Sequence, residues 1–145
     1  MLVYLDMCCL KRPFDDQSQP RIRLESEAVL ALIAAESEAL AFVRSAALRV
    51  ENSRNPLPWR AARVNRWLLE SPWLADGGDL TPRIAELIAS GFGNFDALHV
   101  AVAEAAGCDV FASCDRRLLA TARRVCADGP MRFLGVTELA AEVLA

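Results

Sequence analysis

Three aspartates stand where carboxylates could share a divalent cation. Asp6 follows the short apolar run 2–5, Asp115 follows a second run at 109–112, and Asp96 lies in the first turn of the helix predicted just before that run. Ligands of parallel sheets bind beyond the carboxyl ends of the strands, and a right-handed crossover brings Asp96 to the same edge. Carboxylates packed together repel one another unless a cation such as Mg²⁺ or Mn²⁺ holds them ionised. The positions predict a metal site that could activate water for attack on a phosphodiester.

Each acid also has a purely structural interpretation. An aspartate at a helix start caps the helix and contributes about 1 kcal/mol, and this role suits Asp96 and Asp115 taken singly. Asp6 is harder to explain in this way, because an acid after a buried strand gains nothing from burial without a partner. Glu51 lies on a predicted helix face beside Leu48, but spacing alone does not select it over other glutamates.

Apolar periodicity predicts the elements that must position these acids. Short apolar runs typical of buried strands occur at 2–5, 40–43, 109–112 and 131–134. Helical spacing, caps and prolines predict helices from Pro20 to Ala35, after a Ser45 cap through Glu51, through Arg60 to Leu68, from Thr81 to Gly91, from Asn94 to Gly107, from Arg116 to Val125, and after a Thr137 cap. A turn is predicted at 76–79. Strands alternating with longer helices predict an α/β fold with a mainly parallel sheet and helices on both faces.

Composition indicates one globular domain spanning residues 1–145. The chain is 54% hydrophobic and 24% charged, and no apolar stretch approaches the roughly 20 residues of a membrane span. The N-terminus lacks the basic lead of a signal peptide, so a cytoplasmic protein without a membrane partner is expected. The five cysteines are odd in number and show no Cys-x-x-Cys spacing. They are interpreted as small buried hydrophobes.

The overall charge gives no expectation of nucleic-acid binding, since the formal net charge is −3. Lys11 is the only lysine among 16 basic residues. The others are arginines, whose planar fork matches phosphate, although compositional bias explains them equally well. Trp59, Trp67 and Trp73 are interpreted as core or dimer contacts more readily than as base-stacking platforms.

Four stretches of the chain resemble, in order, the successive motifs of PIN-domain proteins. They are residues 4–17 (YLDMCCLKRPFDDQ), 51–56 (ENSRNP), 96–101 (DALHVA) and 113–119 (SCDRRLL). The similarity spans essentially the whole chain, and its first and last stretches are the most specific.

The resemblance implies a three-layer α/β/α sandwich around a parallel sheet of about five strands. It also implies that Asp6, Glu51, Asp96 and Asp115 form a catalytic set that binds Mg²⁺ or Mn²⁺ and cleaves RNA. Asp6, Asp96 and Asp115 would be the principal metal ligands, with Glu51 as a ligand or as the residue that orients the attacking water. Many small proteins resembling this one are VapC-type toxins, dimeric and held inactive by a cognate antitoxin, and the same partners are expected here by analogy alone.

Some residues next to the acids differ from those common in the family, and others agree with them. Met7 stands where the family commonly has a small hydroxyl or amide residue, so a hydrogen bond that supports Asp6 could be missing and activity weaker. Ser113 fits the small hydroxyl expected two residues before the last acid, and could orient Asp115 or merely end a strand. His99, the only histidine, could touch the site but is more readily interpreted as a histidine at the core edge.

Basic residues flank the acid motifs and could meet RNA phosphates, although solvated surface charge explains each of them. They are Lys11, Arg12, Arg54, Arg116 and Arg117.

Two other functions are compatible with parts of this pattern. Met7 leaves open a catalytically silent PIN-like binding module. A receiver-like phosphoacceptor domain also places acids at strand ends, but needs a lysine near the last strand, where the sequence has none. A hydrolase with a nucleophilic serine is disfavoured, since the chain lacks a Gly-x-Ser-x-Gly motif.

Overall fold

Four short strands form a single parallel sheet in the computed structural model, which describes residues 1–70 and 78–145. The strands are β1 (Leu2–Leu5), β2 (Ala41–Phe42), β3 (Val110–Ser113) and β4 (Arg132–Gly135), in the spatial order β2-β1-β3-β4. The two central strands, β1 and β3, are buried except at Leu2, as expected for strands covered on both faces. The expectation of about five strands is therefore wrong within the described residues, because the chain leaves β4 directly into a helix.

Eight α-helices surround this sheet in the described ranges. They are α1 (Met7–Lys11), α2 (Pro20–Ala34), α3 (Ala46–Ser53), α4 (Pro58–Leu68), α5 (Thr81–Ala89), α6 (Asn94–Ala105), α7 (Arg116–Val125) and α8 (Val136–Val143). A short 3-10 helix, Arg12–Phe14, follows α1. None of the described helices has both the length and the apolar content that crossing a membrane requires. The result is the predicted α/β class, with a parallel sheet and helices packed against it.

The helices pack in two main groups. In one group α2 packs against α8, the 3-10 helix and α1; in the other α6 packs against α5 and α3, and α3 against α4. Between them lies a core that is continuous with the sheet, in which the rings of Tyr4 and Phe111 stack with centroids 5.3 Å apart. Burial of these large side chains on β1 and β3 is what fixes the two central strands.

The strand order creates a reversal between β1 and β3. The chain runs from β1 outward to β2, then crosses to β3 on the other side of β1 and continues to β4. In open parallel sheets this reversal opens a crevice at the carboxyl edge. Leu5 is in register with Ala112, and the Asp6 amide donates to the Ala112 carbonyl at 3.0 Å. Asp6 therefore comes to lie beside Ser113.

Two local predictions differ from the structure. The helix α1 was not predicted, and its N-cap is Asp6 itself, whose side chain accepts from the Met7 amide. The Thr137 cap is wrong: α8 is capped at Gly135, whose amide donates to Glu138 Oε1 at 3.1 Å, and Thr137 is already inside the helix. Trp73 and the first half of the turn predicted at 76–79 lie outside the described residues.

Candidate functional site

Four predicted acids line one pocket of about 300 Å³ at the carboxyl edge of the sheet. Each comes from a different element: Asp6 from the end of β1, Glu51 from α3, Asp96 from the first turn of α6, and Asp115 from the start of α7. The same pocket is lined by Met7, Cys8, Lys11, Asp15 and Arg60. We refer to it as the acid pocket.

Asp6 is almost fully buried, with 5% of its surface exposed, and it is held by three donors. Its Oδ1 accepts from the Met7 amide at 2.8 Å. Its Oδ2 accepts from the Ser113 hydroxyl at 2.9 Å and from the Cys8 thiol at 3.3 Å. The Met7 side chain is buried, and the hydrogen bond that this residue type cannot give is supplied from β3 and from α1.

Ser113 connects two acids of the pocket. Its hydroxyl donates to Asp6, and it accepts from the Asp115 amide at 3.0 Å. The side chain is fully buried at the end of β3. Ser113 thus does more than end a strand: it fixes the Asp6 carboxylate and the backbone of Asp115 relative to each other.

Burial and mutual repulsion oppose ionisation in this pocket. The pKa of Asp6 is raised well above its usual range, chiefly by burial, with the Cys8 thiol and Asp96 adding to the rise and His99 and Ser113 opposing it. The pKa of Asp96 is raised by burial first, and then by the charges of Asp115 and Glu51. A divalent cation would relieve both effects, since hard cations take oxygen ligands and favour the carboxylate form. The donor set therefore fits Mg²⁺ or Mn²⁺.

Glu51 is positioned by a chain of buried polar side chains. His99 Nε2 lies 3.3 Å from Glu51 Oε2, His99 Nδ1 lies 2.6 Å from the Tyr4 hydroxyl, and Tyr4 lies 2.8 Å from the hydroxyl of Ser45. Because a carboxylate only accepts, the consistent assignment has His99 donating from Nε2 and accepting from Tyr4 at Nδ1. His99 is fully buried, so it is a core histidine that also touches the site.

Asp115 serves as a helix cap while it faces the acid pocket. Its Oδ1 accepts from the amides of Arg117 and Leu118 at 2.9 and 3.1 Å. Asp96 and Asp115 also line an adjoining pocket of about 400 Å³ with Arg117. The two acids therefore line both pockets. The capping role of Asp115 does not prevent its side chain from lining them.

The predicted RNA-contacting residues have different surroundings. Lys11 lines the acid pocket, and Arg117 lines the adjoining one. Arg12 is ion-paired with Asp15 at 3.1 Å and with Glu25 at 3.5 Å. The remaining two line neither of these pockets. Arg54 stands over the Phe95 ring, and Arg116 lines a third pocket of about 650 Å³ with Arg21 and Arg123.

Sequence reasoning missed Arg60 and Asp15 as pocket residues. Arg60 Nη1 lies 3.3 Å from Asp15 Oδ1, and both line the acid pocket. The sequence predicts Arg60 in a helix and Asp15 in a turn. Their spacing gives no indication that they lie near the four acids. Of the tryptophans, Trp67 is buried whereas Trp59 is 54% exposed and contacts Phe14 edge-on.

The four acids surround the pocket without closing into a compact cluster. Among the described residues, the His, Cys, Asp or Glu group whose ligand atoms lie within 4.8 Å of one another consists of Cys8, Cys9 and Cys114. The five cysteines are free thiols, four of them buried and Cys8 partly exposed. The interpretation as small hydrophobes therefore holds for burial, but not for the arrangement of these three.

Comparison with known proteins agrees with the fold and with the family that the sequence resembles. The family model described as PIN domain matches residues 3–124. The searches of curated proteins and of solved structures found no match.

Proposed function

The chain belongs to the PIN-domain family, and on that premise we propose that it is a Mg²⁺- or Mn²⁺-dependent endoribonuclease. Members of this family are generally nucleases that use divalent metal ions. The observation that carries the proposal is the convergence of four acids from four elements on one pocket, at the carboxyl edge of the sheet. The substrate would be RNA, and the reaction hydrolysis of a phosphodiester bond.

Each acid has a distinct role in this proposal. Asp6, Asp96 and Asp115 would hold the metal, because all three line the same pocket and burial disfavours the charged forms of Asp6 and Asp96 without a cation. When bound, the metal would supply Lewis-acid polarisation of the phosphodiester and a more acidic water. Glu51, held by His99, would orient the attacking water and accept a proton from it.

The cation and the basic side chains have separate tasks. Lys11 lines the acid pocket and would contact a phosphate next to the scissile one, while Arg117 would contact RNA over the adjoining pocket. These contacts would place the RNA in register without reading its sequence.

The test is the variant Asp6→Asn, assayed for RNA cleavage with Mn²⁺ and with Mg²⁺. Cleavage by the wild type should stop in EDTA and return with either ion, whereas the variant should stay at background. Asn keeps the size of the side chain, so thermal unfolding should show an intact fold. Asp128→Asn, at an exposed position outside the pocket, should cleave as the wild type does. Full activity of Asp6→Asn would refute the proposal.

We further propose that the chain is the toxin of a VapC-type pair, acting as a homodimer that a cognate antitoxin inhibits. The support is the resemblance of its four ordered motifs to such proteins. Expression of the wild type should arrest growth of its host with RNA cleavage, and Asp6→Asn should not. Normal growth despite cleavage by the purified protein would refute the toxin role alone. A sedimentation mass of one chain, 15.8 kDa, would refute the dimer.

A further inference from the structure

Three thiols lie close together next to the acid pocket, where β1 and β3 end. Cys8 and Cys9 lie on α1, and Cys114 follows β3. Their sulfur atoms all lie within 4.8 Å of one another, and Cys9 Sγ and Cys114 Sγ are 3.8 Å apart. The cluster exists only in the folded chain, since the register of β1 with β3 joins positions 105 residues apart.

This spacing matches the coordination of a thiophilic metal ion. Zinc binds thiolate sulfur at about 2.3 Å with tetrahedral geometry, which places neighbouring sulfurs about 3.8 Å apart. Sulfur ligands select soft or borderline ions such as Zn²⁺, whereas carboxylates select Mg²⁺ and Mn²⁺. The cluster and the acid pocket thus offer two different ligand chemistries side by side.

Access and charge are also compatible with an ion at the cluster. Cys8 lines the acid pocket, and Cys114 lines the pocket of about 650 Å³ on the other side. Three thiolates and one divalent ion carry a net charge of −1, and the nearby Arg12 guanidinium, which is also ion-paired with Asp15 and Glu25, would partly offset it.

We propose that Cys8, Cys9 and Cys114 form a binding site for a thiophilic divalent cation, represented by Zn²⁺. Three S–H protons pass to solvent as three metal–sulfur bonds form, and no electron is transferred. A fourth position is left for water or for the nearby Ser113 hydroxyl, 3.3 Å from Cys8 Sγ.

Occupancy of this site would act on the acid pocket. The Cys8 thiol donates to Asp6 Oδ2 at 3.3 Å, and Ser113 donates to the same oxygen at 2.9 Å. Zinc bound at Cys8 removes the thiol proton and places a negatively charged complex beside Asp6. Loss of such a supporting contact lowers metal affinity or activity by about tenfold or more. The zinc form would therefore be a less active nuclease; this coupling rests on the proposed function, whereas the binding itself does not.

Binding is tested with Cd²⁺, whose bonds to thiolates give a charge-transfer band in the ultraviolet. The full chain, reduced with a phosphine, is titrated without Mg²⁺ or Mn²⁺, and the band should saturate at one ion per chain. Cys9→Ala and Cys114→Ala should lose it. Cys108→Ala and Cys126→Ala, which remove thiols outside the cluster, should retain it, and so should Asp6→Asn. A band that is absent from the wild type, or that survives in Cys114→Ala, would overturn the site.

A measurement on the wild type keeps the proposal testable if the alanine variants do not fold. X-ray absorption of the Zn²⁺-loaded chain should show three sulfur neighbours at about 2.3 Å; a shell of oxygen alone would overturn the site.

The coupling is tested by cleavage with Mn²⁺ present. Zinc should slow the wild type about tenfold or more and slow Cys9→Ala much less. Equal inhibition of both would place the inhibiting ion in the acid pocket and refute the coupling, while the cadmium band would still report on the thiol site.

Discussion

At the residue scale, Asp6 combines strong hydrogen bonding with an environment that resists its charge. The Met7 amide, the Ser113 hydroxyl and the Cys8 thiol all donate to it, and its pKa is nevertheless raised, chiefly by burial. A carboxylate in this state is held in one orientation before any cation arrives. Burial therefore destabilises the charged form of Asp6 while the pocket holds no cation. The hydrogen bonds keep its side chain in the orientation in which a cation could bind.

The raised pKa of Asp6 predicts how stability depends on pH without metal. The folded chain holds this proton more tightly than the unfolded chain, in which the pKa is about 3.9. The free energy of unfolding should therefore fall as pH rises from that value through the raised folded pKa. Asp6→Asn has no such proton to lose. In EDTA, its urea midpoint should rise relative to that of the wild type over this pH range. At higher pH the difference between the two midpoints should stay constant.

Two controls accompany this measurement. Asp96 is present in both proteins, so the part of its pKa rise that comes from burial, Asp115 and Glu51 is common to both. The difference therefore reports on Asp6 and on its repulsion with Asp96. Mn²⁺ should reduce the difference between the two midpoints by stabilising the folded wild type. A difference that does not change with pH would contradict the buried environment assigned to Asp6.

Single residues differ in how far the sequence could place them. Asp6 and Asp115 were predictable as neighbours, because each follows an apolar strand and parallel strands end at one edge. Glu51 was not selectable by spacing, since its position depends on His99 from α6 and, through it, on Tyr4 from β1. The three thiols follow the same two strands, but the sequence shows no Cys-x-x-Cys spacing that would point to a shared site.

At the element scale, the bounds of strands and helices were predicted correctly where residues at the boundary mark it. The strand β1 and the helix α7 have the predicted bounds, because an apolar run stops at Asp6 and an aspartate caps the helix. Helix α1 has only five residues, too few to show a period. The four apolar runs seen in the sequence each gave a strand; the fifth strand was expected from resemblance alone.

Asp115 allows its capping role to be separated from its proposed metal role. Asparagine caps helices about as well as aspartate does, so Asp115→Asn should keep the free energy of unfolding close to wild type. Asp115→Ala leaves the amides of Arg117 and Leu118 without this acceptor and should cost about 1 kcal/mol. Both variants should cleave RNA poorly, since both lose the carboxylate charge.

Urea unfolding in EDTA and Mn²⁺-dependent cleavage together check this prediction. Equal stability of the two variants would contradict the cap. Wild-type cleavage by Asp115→Asn would contradict the proposed ligand role, whatever the stability.

At the scale of the whole molecule, the proposed function requires an acidic protein to bind a polyanion at an acidic pocket. The formal net charge is −3, so long-range attraction for RNA would be weak and a bound cation would have to supply much of the local positive charge. Lys11 lines the pocket and forms no ion pair within residues 1–70 and 78–145. Arg132, by contrast, starts β4 at the opposite edge of the sheet and is paired with Glu142.

This distribution predicts a small salt dependence of RNA binding that depends on Lys11. Each phosphate of single-stranded RNA that a side chain neutralises adds about 0.7 to the slope of log affinity against log salt. In an Asp6→Asn background, which prevents cleavage, Lys11→Gln should lower the slope by about that amount, and Arg132→Gln should leave it unchanged. Fluorescence anisotropy with a labelled single-stranded RNA, over a series of salt concentrations, measures both slopes. If the two variants gave the same slope, Lys11 would be a solvated surface charge and the RNA would approach the acid pocket by another path.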